Sequence, residues 1–420
     1  MNRDHSSRSR RLQILHVSPS YAPMVGGAER LLQAVSERLV ERGHEVTVLT
    51  FDCATQLDFW ASKPAGLPPQ ETINGVRVRR VPTAPGRLQR TYEWWLQRRG
   101  GWRTAGWLIG MDDWALGRPS GINMLFPMAS LRADVVTSVN WGFSATYWAC
   151  LPRVLRRLPR VGVPILHIEC DWASNPLYDR MLRNCDASIV FTEAERDFVA
   201  ARGGRSIAIG GAGADPAHFE QRDGARIRAQ YGIGDRPVVG FIGRQDKLKG
   251  AVTLIEAMRI VWREMPNAML LMAGQSAHRH PEVAQELTEL SDCDRTRVVL
   301  VDDFTDADGP SVIDACDVVA LPSVEESFGI VFIEAWLCGK PVIGGDIAST
   351  RCVIDCGVDG LTATPFDAQD LSSKILELLA DPAKRARFGA RGREKALTRH
   401  TWDRVTDVWE TTLLSAAAGA

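Results

Sequence analysis

Long apolar runs are missing from this 420-residue chain. No stretch approaches the ~18 uninterrupted apolar residues of a membrane-crossing helix, so no span is expected. A surplus of charge is missing too: 50 Lys and Arg against 51 Asp and Glu leave a formal net charge of -1. That balance argues against bulk nucleic-acid binding and leaves only local patches to consider. Cysteines arranged for cross-linking or metal binding are also lacking. The nine are an odd number, scattered, and several sit inside apolar segments (Cys150, Cys316, Cys338). The closest pair, Cys352 and Cys356, has no second pair at zinc-site spacing, so reduced buried thiols are the simple reading. His278 and His280 stand without Cys or carboxylate partners at ligand spacing, and no metal site is expected there. Finally, the basic start MNRDHSSRSRR runs into LQILHV, too short for a secretory apolar region, and a cytoplasmic location is expected.

What is present is an ordinary globular composition, 45% hydrophobic and 24% charged, in a chain long enough for two domains. LQILHV reads as a buried strand, SPSYAPMVGG as a loop, AERLLQAVSERLVERG as a helix and HEVTVLT as the next strand. Ala28, Leu31, Leu32, Val35 and Leu39 recur at helical spacing, with Gly43 at the C-terminal end. ADVVTSV, VPILHIE, ASIVF and RSIAIG continue as short apolar strands. A polar Gly/Ala/Asp stretch follows, and VVGFIG, AMLLMAG, RVVLVD, VVALPS and KPVIGG repeat the strand pattern. Strand–helix alternation of this kind predicts an α/β protein with two doubly wound, Rossmann-like domains facing across a cleft. The boundaries read as 12–222 for the first domain, carrying a Trp-rich insertion at about 85–130, and 223–395 for the second. A terminal helix at 400–417, with Trp402, Val405, Val408, Trp409 and Leu413 on one face, needs a partner surface and suits packing back on the first domain.

Two stretches can carry chemistry. In LPSVEESFGIVFIEAWLCGKPVIGGD a buried strand ends at Pro322, an acidic loop follows, and a helix begins near Gly329. The first-turn N–H groups and partial positive charge of that helix make an anion site. Glu326 and Glu334 are eight residues apart. Were both helical they would stand ~12 Å apart at 1.5 Å per residue, suiting opposite ends of an extended ligand rather than a dyad. In GFIGRQDKLKG a strand ends at Gly243, with Arg244 in the turn and Lys249 and Gly250 before a new helix. A planar guanidinium fork and a mobile ammonium at a strand's carboxyl end suit a diphosphate. Isolated, each of these charges would read as ordinary solvated surface; the strand–loop–helix context around both makes the functional reading the stronger.

With GGAERLLQAVSERLVERGHEVTVLT, GAGADPAHF, GRQDKLKG and EESFGIVFIEAWLCGKPVIGGD in this order, the chain resembles the retaining glycosyltransferases of family 4, which have the GT-B fold. The resemblance spans roughly residues 12–412 and is weakest over 51–130. It implies that Gly26 and Gly27 form a glycine loop near the donor diphosphate or acceptor, and that Arg244 and Lys249 neutralise the diphosphate. By the same resemblance Glu326 faces the donor sugar, Glu334 holds the ribose hydroxyls, and Ser327, Phe328, Gly329 and Ile330 form the loop and helix start whose amides meet phosphate and sugar. Arg244, Lys249 and Glu326 are then the residues on which catalysis rests, with Gly243 among the donor contacts. No metal and no cofactor are implied, and no DxD-like motif stands in a suitable loop. Two departures concern the sugar rather than the phosphates. Cys170, followed by Asp171 and Trp172, occupies the place of a His that contacts the donor sugar in many members, while His167 lies three residues earlier and reads as a strand or core residue. After Gly345, Ala348, Ser349 and Cys352 stand where a Gly-Gly and a Glu are usual. Cys170, Asp171, Trp172 and Trp141 are the candidate sugar or acceptor contacts.

The expected reaction moves a hexose-type sugar from a nucleotide-diphosphate sugar to a saccharide, lipid-linked or small-molecule acceptor. Arg153, Arg156, Arg157 and Arg160 alternate with apolar residues, and Trp94, Trp95, Trp102 and Trp107 stand among Arg98, Arg99 and Arg103. These features suit an anionic inner-membrane surface as a peripheral partner, or sugar rings, against the plainer reading of a solvated basic helix and a packed loop. A GT-B sugar-nucleotide epimerase and a catalytically silent sugar-nucleotide-binding subunit remain alternatives at this stage.

Overall fold

The computed structural model describes residues 10–419, apart from 56–57, 60, 84–121, 151–157, 275–279 and 303–304. Most of the Trp-rich stretch, Arg153, Arg156, Arg157 and His278 therefore lie outside the described residues.

Two separate sheets carry the chain. The first has the order β3-β4-β2-β1-β5-β6-β7-β8, built from β1 (Gln13–Val17), β2 (Glu45–Phe51), β3 (Gln70–Ile73), β4 (Val76–Val81), β5 (Val135–Val139), β6 (Arg160–Val163), β7 (Ala187–Val190) and β8 (Ile207–Ile209). All neighbours run parallel except β3 and β4, a hairpin turning at Asn74 and Gly75. The second sheet is wholly parallel, with the order β11-β10-β9-β12-β13-β14. Its strands are β9 (Val238–Ile242), β10 (Met269–Gly274), β11 (Val298–Asp302), β12 (Val318–Leu321), β13 (Val342–Gly345) and β14 (Gly360–Ala363). Buried runs such as VVTSV, VVGFI and VVAL are what helix-covered parallel strands require.

In both sheets the order reverses beside a central strand, at β1/β5 in the first and β9/β12 in the second. Crevices at such switch points, beyond the carboxyl ends of the strands, are where α/β sheets bind ligands. The loops after β1, β9 and β12 lead into the helices Gly27–Glu41, Ala251–Glu264 and Ile330–Leu337, and they carry the glycine loop, Arg244 with Lys249, and Glu326 respectively.

One strand differs from the sequence reading. VPILHIE is not a strand: β6 ends at Val163, and Pro164, which lacks the N–H a ladder needs, carries the chain out of the sheet. Ile165 adopts a positive φ of 54°, and the buried Glu195 carboxylate accepts from the amides of Leu166 (2.9 Å) and Phe191 (2.7 Å), fixing the exit turn. His167 is thereby released from the sheet. Arg160 opens β6 and is buried, so it belongs to no solvent-facing basic surface. No helix among the described residues is long and apolar enough to cross a membrane.

The last helix, Trp402–Ala418, lies against the first sheet and the helix Gly27–Glu41. Glu410 accepts from Arg42 (2.7 Å) and pairs with His44 (2.9 Å), and Trp409 is fully buried, edge-on to His16 at 5.8 Å. Burial holds the His16 imidazole neutral, down to about 3 from the ordinary 6.5. A histidine depressed in the folded state contributes stability above its unfolded pKa and loses it as pH falls toward the folded one. His16 alone should therefore cost about 1.4 kcal/mol per pH unit on acidification below 6.5. Urea midpoints measured between pH 6.5 and 5 check this, and a His16→Gln variant should show a flatter decline. An equally steep decline in the variant would remove His16 as the cause.

Candidate functional site

The loop between β9 and the helix Ala251–Glu264 is shaped by two devices. Asp246 accepts from the Lys249 amide (2.8 Å) and pairs with the Arg244 guanidinium, folding the loop on itself. Gly250 then enters the helix at φ 83°, pressed against the chain after β12: an added Cβ would stand 2.4 Å from the Pro322 carbonyl oxygen. That approach delivers Lys249 to the acidic loop. Its Nζ donates to the Glu326 carboxylate at 2.9 Å and to the Glu325 carbonyl at 3.1 Å. Gly243 adopts φ 133°, and the space a Cβ would take there is open.

Glu326 sits 8% exposed just before the helix Ile330–Leu337, which starts at Gly329 in a left-handed conformation (φ 85°). Burial would raise the Glu326 carboxyl, but the Lys249 charge and hydrogen bond, with His167 and the Ser327 amide (3.2 Å), outweigh it and hold the group below its usual value. It is an ionised carboxylate tied to an ammonium. Glu334 differs. Burial raises it, only partly offset by Arg30, whose guanidinium reaches across from the first turn of Gly27–Glu41 at 3.0 Å. Arg30 also pairs with the exposed Asp306.

Of the remaining candidates, Gly27 lies over the start of the acidic-loop helix, where its Cβ would meet the Ile330 side chain at 3.7 Å; Gly26 packs on Glu29. The structure thus brings Gly27, Ile330, Arg30 and Glu334 together, and separately Lys249 with Glu326 and Ser327. Phe328 is buried edge-on to Phe191 (6.0 Å) and His400 (5.5 Å), so its ring faces packing partners and leaves only its backbone to a ligand. Trp141 is a correction: its ring is 1% exposed, stacks on Tyr178, and donates to the Ser138 carbonyl at 3.0 Å. A sugar cannot reach it. Gly162 lacks a side chain where a Cβ would fall 2.6 Å from that ring, which fixes Trp141 beneath the sheet.

His167 is a second correction. The exit turn aims it at the acidic loop, with Nδ1 3.6 Å from the Glu325 carboxylate. Burial and then Lys249 lower its pKa, against Glu326 and Glu325. Cys170 is 8% exposed in the same turn, and Asp171 is exposed at the head of the short 3-10 helix Asp171–Ser174, which also contains Trp172. Among the described residues, His167, Cys170 and Glu325 form a group able to hold a metal ion.

Two contacts had no sequence signal. Arg30 reads as one more exposed charge of an amphipathic helix, and Ser349 as a departure, yet Ser349 donates through its amide (3.2 Å) and hydroxyl (3.1 Å) to Glu169 of the first sheet's exit turn. Both depend on elements that follow strands of separate sheets coming together, the helix Gly27–Glu41 on Ile330–Leu337 and the exit turn on the helix Ala348–Val353, which no local pattern encodes.

The family model for glycosyl transferases group 1 matches residues 223–395, and that for the glycosyl transferase 4-like domain matches residues 26–209. The chain belongs to family 4 of the glycosyltransferases. This glycosyltransferase has the GT-B fold.

Among its relatives, a D-inositol 3-phosphate glycosyltransferase of Stackebrandtia nassauensis is 25% identical over 94% of this chain and 88% of its own. A GDP-mannose-dependent alpha-(1-6)-phosphatidylinositol monomannoside mannosyltransferase of Mycolicibacterium smegmatis is 27% identical over 93% and 95%. A D-inositol 3-phosphate glycosyltransferase of Segniliparus rotundus is 32% identical, but that match spans 46% of this chain and only 44% of the relative. Sucrose-phosphate synthase from Thermosynechococcus elongatus superposes with a TM-score of 0.75 at 20% identity, covering 98% of this chain and all of that one. Anabaena HepE in complex with UDP and glucose superposes with a TM-score of 0.70 at 21% identity, covering 96% and 100%.

Proposed function

We propose that this glycosyltransferase moves a hexose-type sugar from a nucleoside-diphosphate donor, with retention at the anomeric carbon. The observation that carries the reading is the Lys249–Glu326 pair at the mouth of the helix that starts at Gly329. A cation on a long stem, a buried carboxylate and the N-terminal end of a helix, with its partial positive charge, meet there. In the free enzyme Glu326 occupies Lys249. A donor diphosphate, carrying more charge, draws Lys249 and Arg244 to itself, and Glu326 is left to accept from sugar hydroxyls.

The bond from the anomeric carbon to the diphosphate oxygen breaks, and its electron pair goes to the diphosphate. Lys249, Arg244 and the helix amides stabilise that developing charge by preorganised electrostatics. An acceptor hydroxyl attacks the same face, and its proton passes to the departing phosphate oxygen. Glu334 accepts from the ribose hydroxyls once Arg30 gives way. These charges make a divalent cofactor unnecessary in the reading, so turnover should persist in EDTA.

The donor is UDP-, GDP- or ADP-linked; HepE was solved with UDP, and one relative is named for GDP-mannose. One relative is named for D-inositol 3-phosphate and another for a phosphatidylinositol monomannoside, which supports an inositol phosphate or lipid-linked acceptor; a lipid-linked acceptor would bring this enzyme to the inner membrane face as a peripheral protein. Incubation with a panel of sugar nucleotides, reading slow release of nucleoside diphosphate, tests the proposal. One donor should turn over with its α-anomeric configuration kept in the product, read by NMR. Inversion would refute retention, and interconversion of sugars without release would favour an epimerase.

A further inference from the structure

We infer that His167, Cys170 and Glu325 form a binding site for a zinc-class divalent ion that ties the two sheets together and shuts the donor crevice. His167 and Cys170 belong to the exit turn of the first sheet, and Glu325 to the acidic loop of the second. The Cys170 amide donates to the His167 carbonyl at 3.0 Å, an i to i+3 turn. Such a turn sets its first and last side chains on one side, and the two-residue spacing is that of zinc-binding turns.

The distances suit a small tetrahedral ion. His167 Nδ1 and the Glu325 carboxylate stand 3.6 Å apart, and all three ligand atoms fall within 4.8 Å of one another. Ligand-to-ligand edges around tetrahedral zinc are about 3.4–3.7 Å, so the widest separation closes with a side-chain swing on the order of 1 Å. Glu325 is the partner free to swing, with its side chain 29% exposed, while its backbone is anchored by Lys249 at 3.1 Å.

The donor set is one imidazole, one thiolate and one carboxylate. It favours a borderline-soft ion over Mg²⁺ or Ca²⁺, which take all-oxygen sites. The charges balance locally. The thiolate and Glu325 match the ion, the Cys170 proton leaves to solvent, and the nearby Lys249 is already paired with Glu326 at 2.9 Å. Three protein ligands leave one position to water.

The ion would sit beside Glu326 and Lys249, so an occupied site denies the donor sugar its place and resists opening of the crevice. This inhibitory consequence rests on the donor-site reading; binding of the ion does not.

Cobalt titration of the full chain without donor tests the site. One equivalent of Co²⁺ should give a near-ultraviolet thiolate charge-transfer band and tetrahedral d–d bands, both displaced by Zn²⁺. Cys170→Ser should abolish the thiolate band, and His167→Gln and Glu325→Gln, each removing a direct ligand, should weaken binding by more than the roughly 10- to 100-fold that loss of an outer-shell partner costs. Cys356→Ser, an exposed cysteine away from the turn, should change nothing. Thermal midpoints confirm that each variant is folded, and the His167 and Glu325 variants suffice should Cys170→Ser misfold. No thiolate band, or a band that survives Cys170→Ser, would overturn the site. Binding with undiminished donor turnover at saturating Zn²⁺ would overturn its inhibitory role.

Discussion

Replacing Lys249 with Ala should lower kcat about 100- to 1000-fold, the scale set by removal of one preorganised donor from a transition-state charge site. Lys249 is the larger loss of the two cations because of where each is held. Its side chain is 17% exposed, with the ammonium seated on Glu326 and the Glu325 carbonyl, whereas the Arg244 side chain is 39% exposed and paired with Asp246 in its own turn. A desolvated charge acts through a lower effective dielectric than one facing water. Lys249→Ala also strips Glu326 of its principal partner, so its carboxyl should rise. A protonated Glu326 would show as a new acid limb in the pH–rate profile of the variant. Lys249→Arg, which keeps charge but not size, should recover part of the loss. Wild-type turnover in Lys249→Ala would remove this residue from the donor site.

Gly250→Ala should cost about 2–5 kcal/mol of stability in the second sheet and its helices, combining backbone strain with overpacking. The added Cβ would lie 2.4 Å from the Pro322 oxygen and 2.7 Å from its carbon, both main chain, at a residue already at φ 83°. Backbone cannot swing aside as a side-chain tip can, so the two loops must part. Their separation withdraws Lys249 from Glu326, and nucleotide binding should weaken along with stability. Gly43→Ala is the internal control: φ is 95° there, but nothing lies within 4 Å of the new Cβ, so only strain remains. Denaturant titration of the two variants distinguishes them. Equal, small losses would mean that the Gly250 approach to Pro322 relaxes at little cost.

Much of this molecule was legible because parallel strands buried on both faces announce themselves as short apolar runs. VVGFI, MLLMAG and VVAL needed no tertiary information, and the helix Ala251–Glu264 stands out by its period. The hairpin of β3 and β4 did not stand out, since QETI is a short polar edge strand and VRVRRV interrupts its buried valines with arginines rather than forming an apolar run. The exit from β6 was misread for a different reason. ILHI looks like strand by composition, and the turn is imposed by Pro164, Ile165 and a distant Glu195 carboxylate. That single error hid His167 from view as a cleft residue. In the same way the motif residues Arg244, Lys249, Glu326 and Glu334 were visible, but not that Arg30 sits on Glu334 or that Trp141 is locked beneath β6.

The central claim is that a nucleoside diphosphate is gripped between Lys249, Arg244 and the helix start at Gly329. Calorimetric titration with UDP, GDP and ADP in EDTA tests it most directly, because it needs neither acceptor nor chemistry. One diphosphate should bind, with affinity falling at least tenfold in Lys249→Ala and the corresponding nucleoside monophosphate far less sensitive to that change. Absence of binding by all three, or equal affinity in wild type and Lys249→Ala, would contradict it.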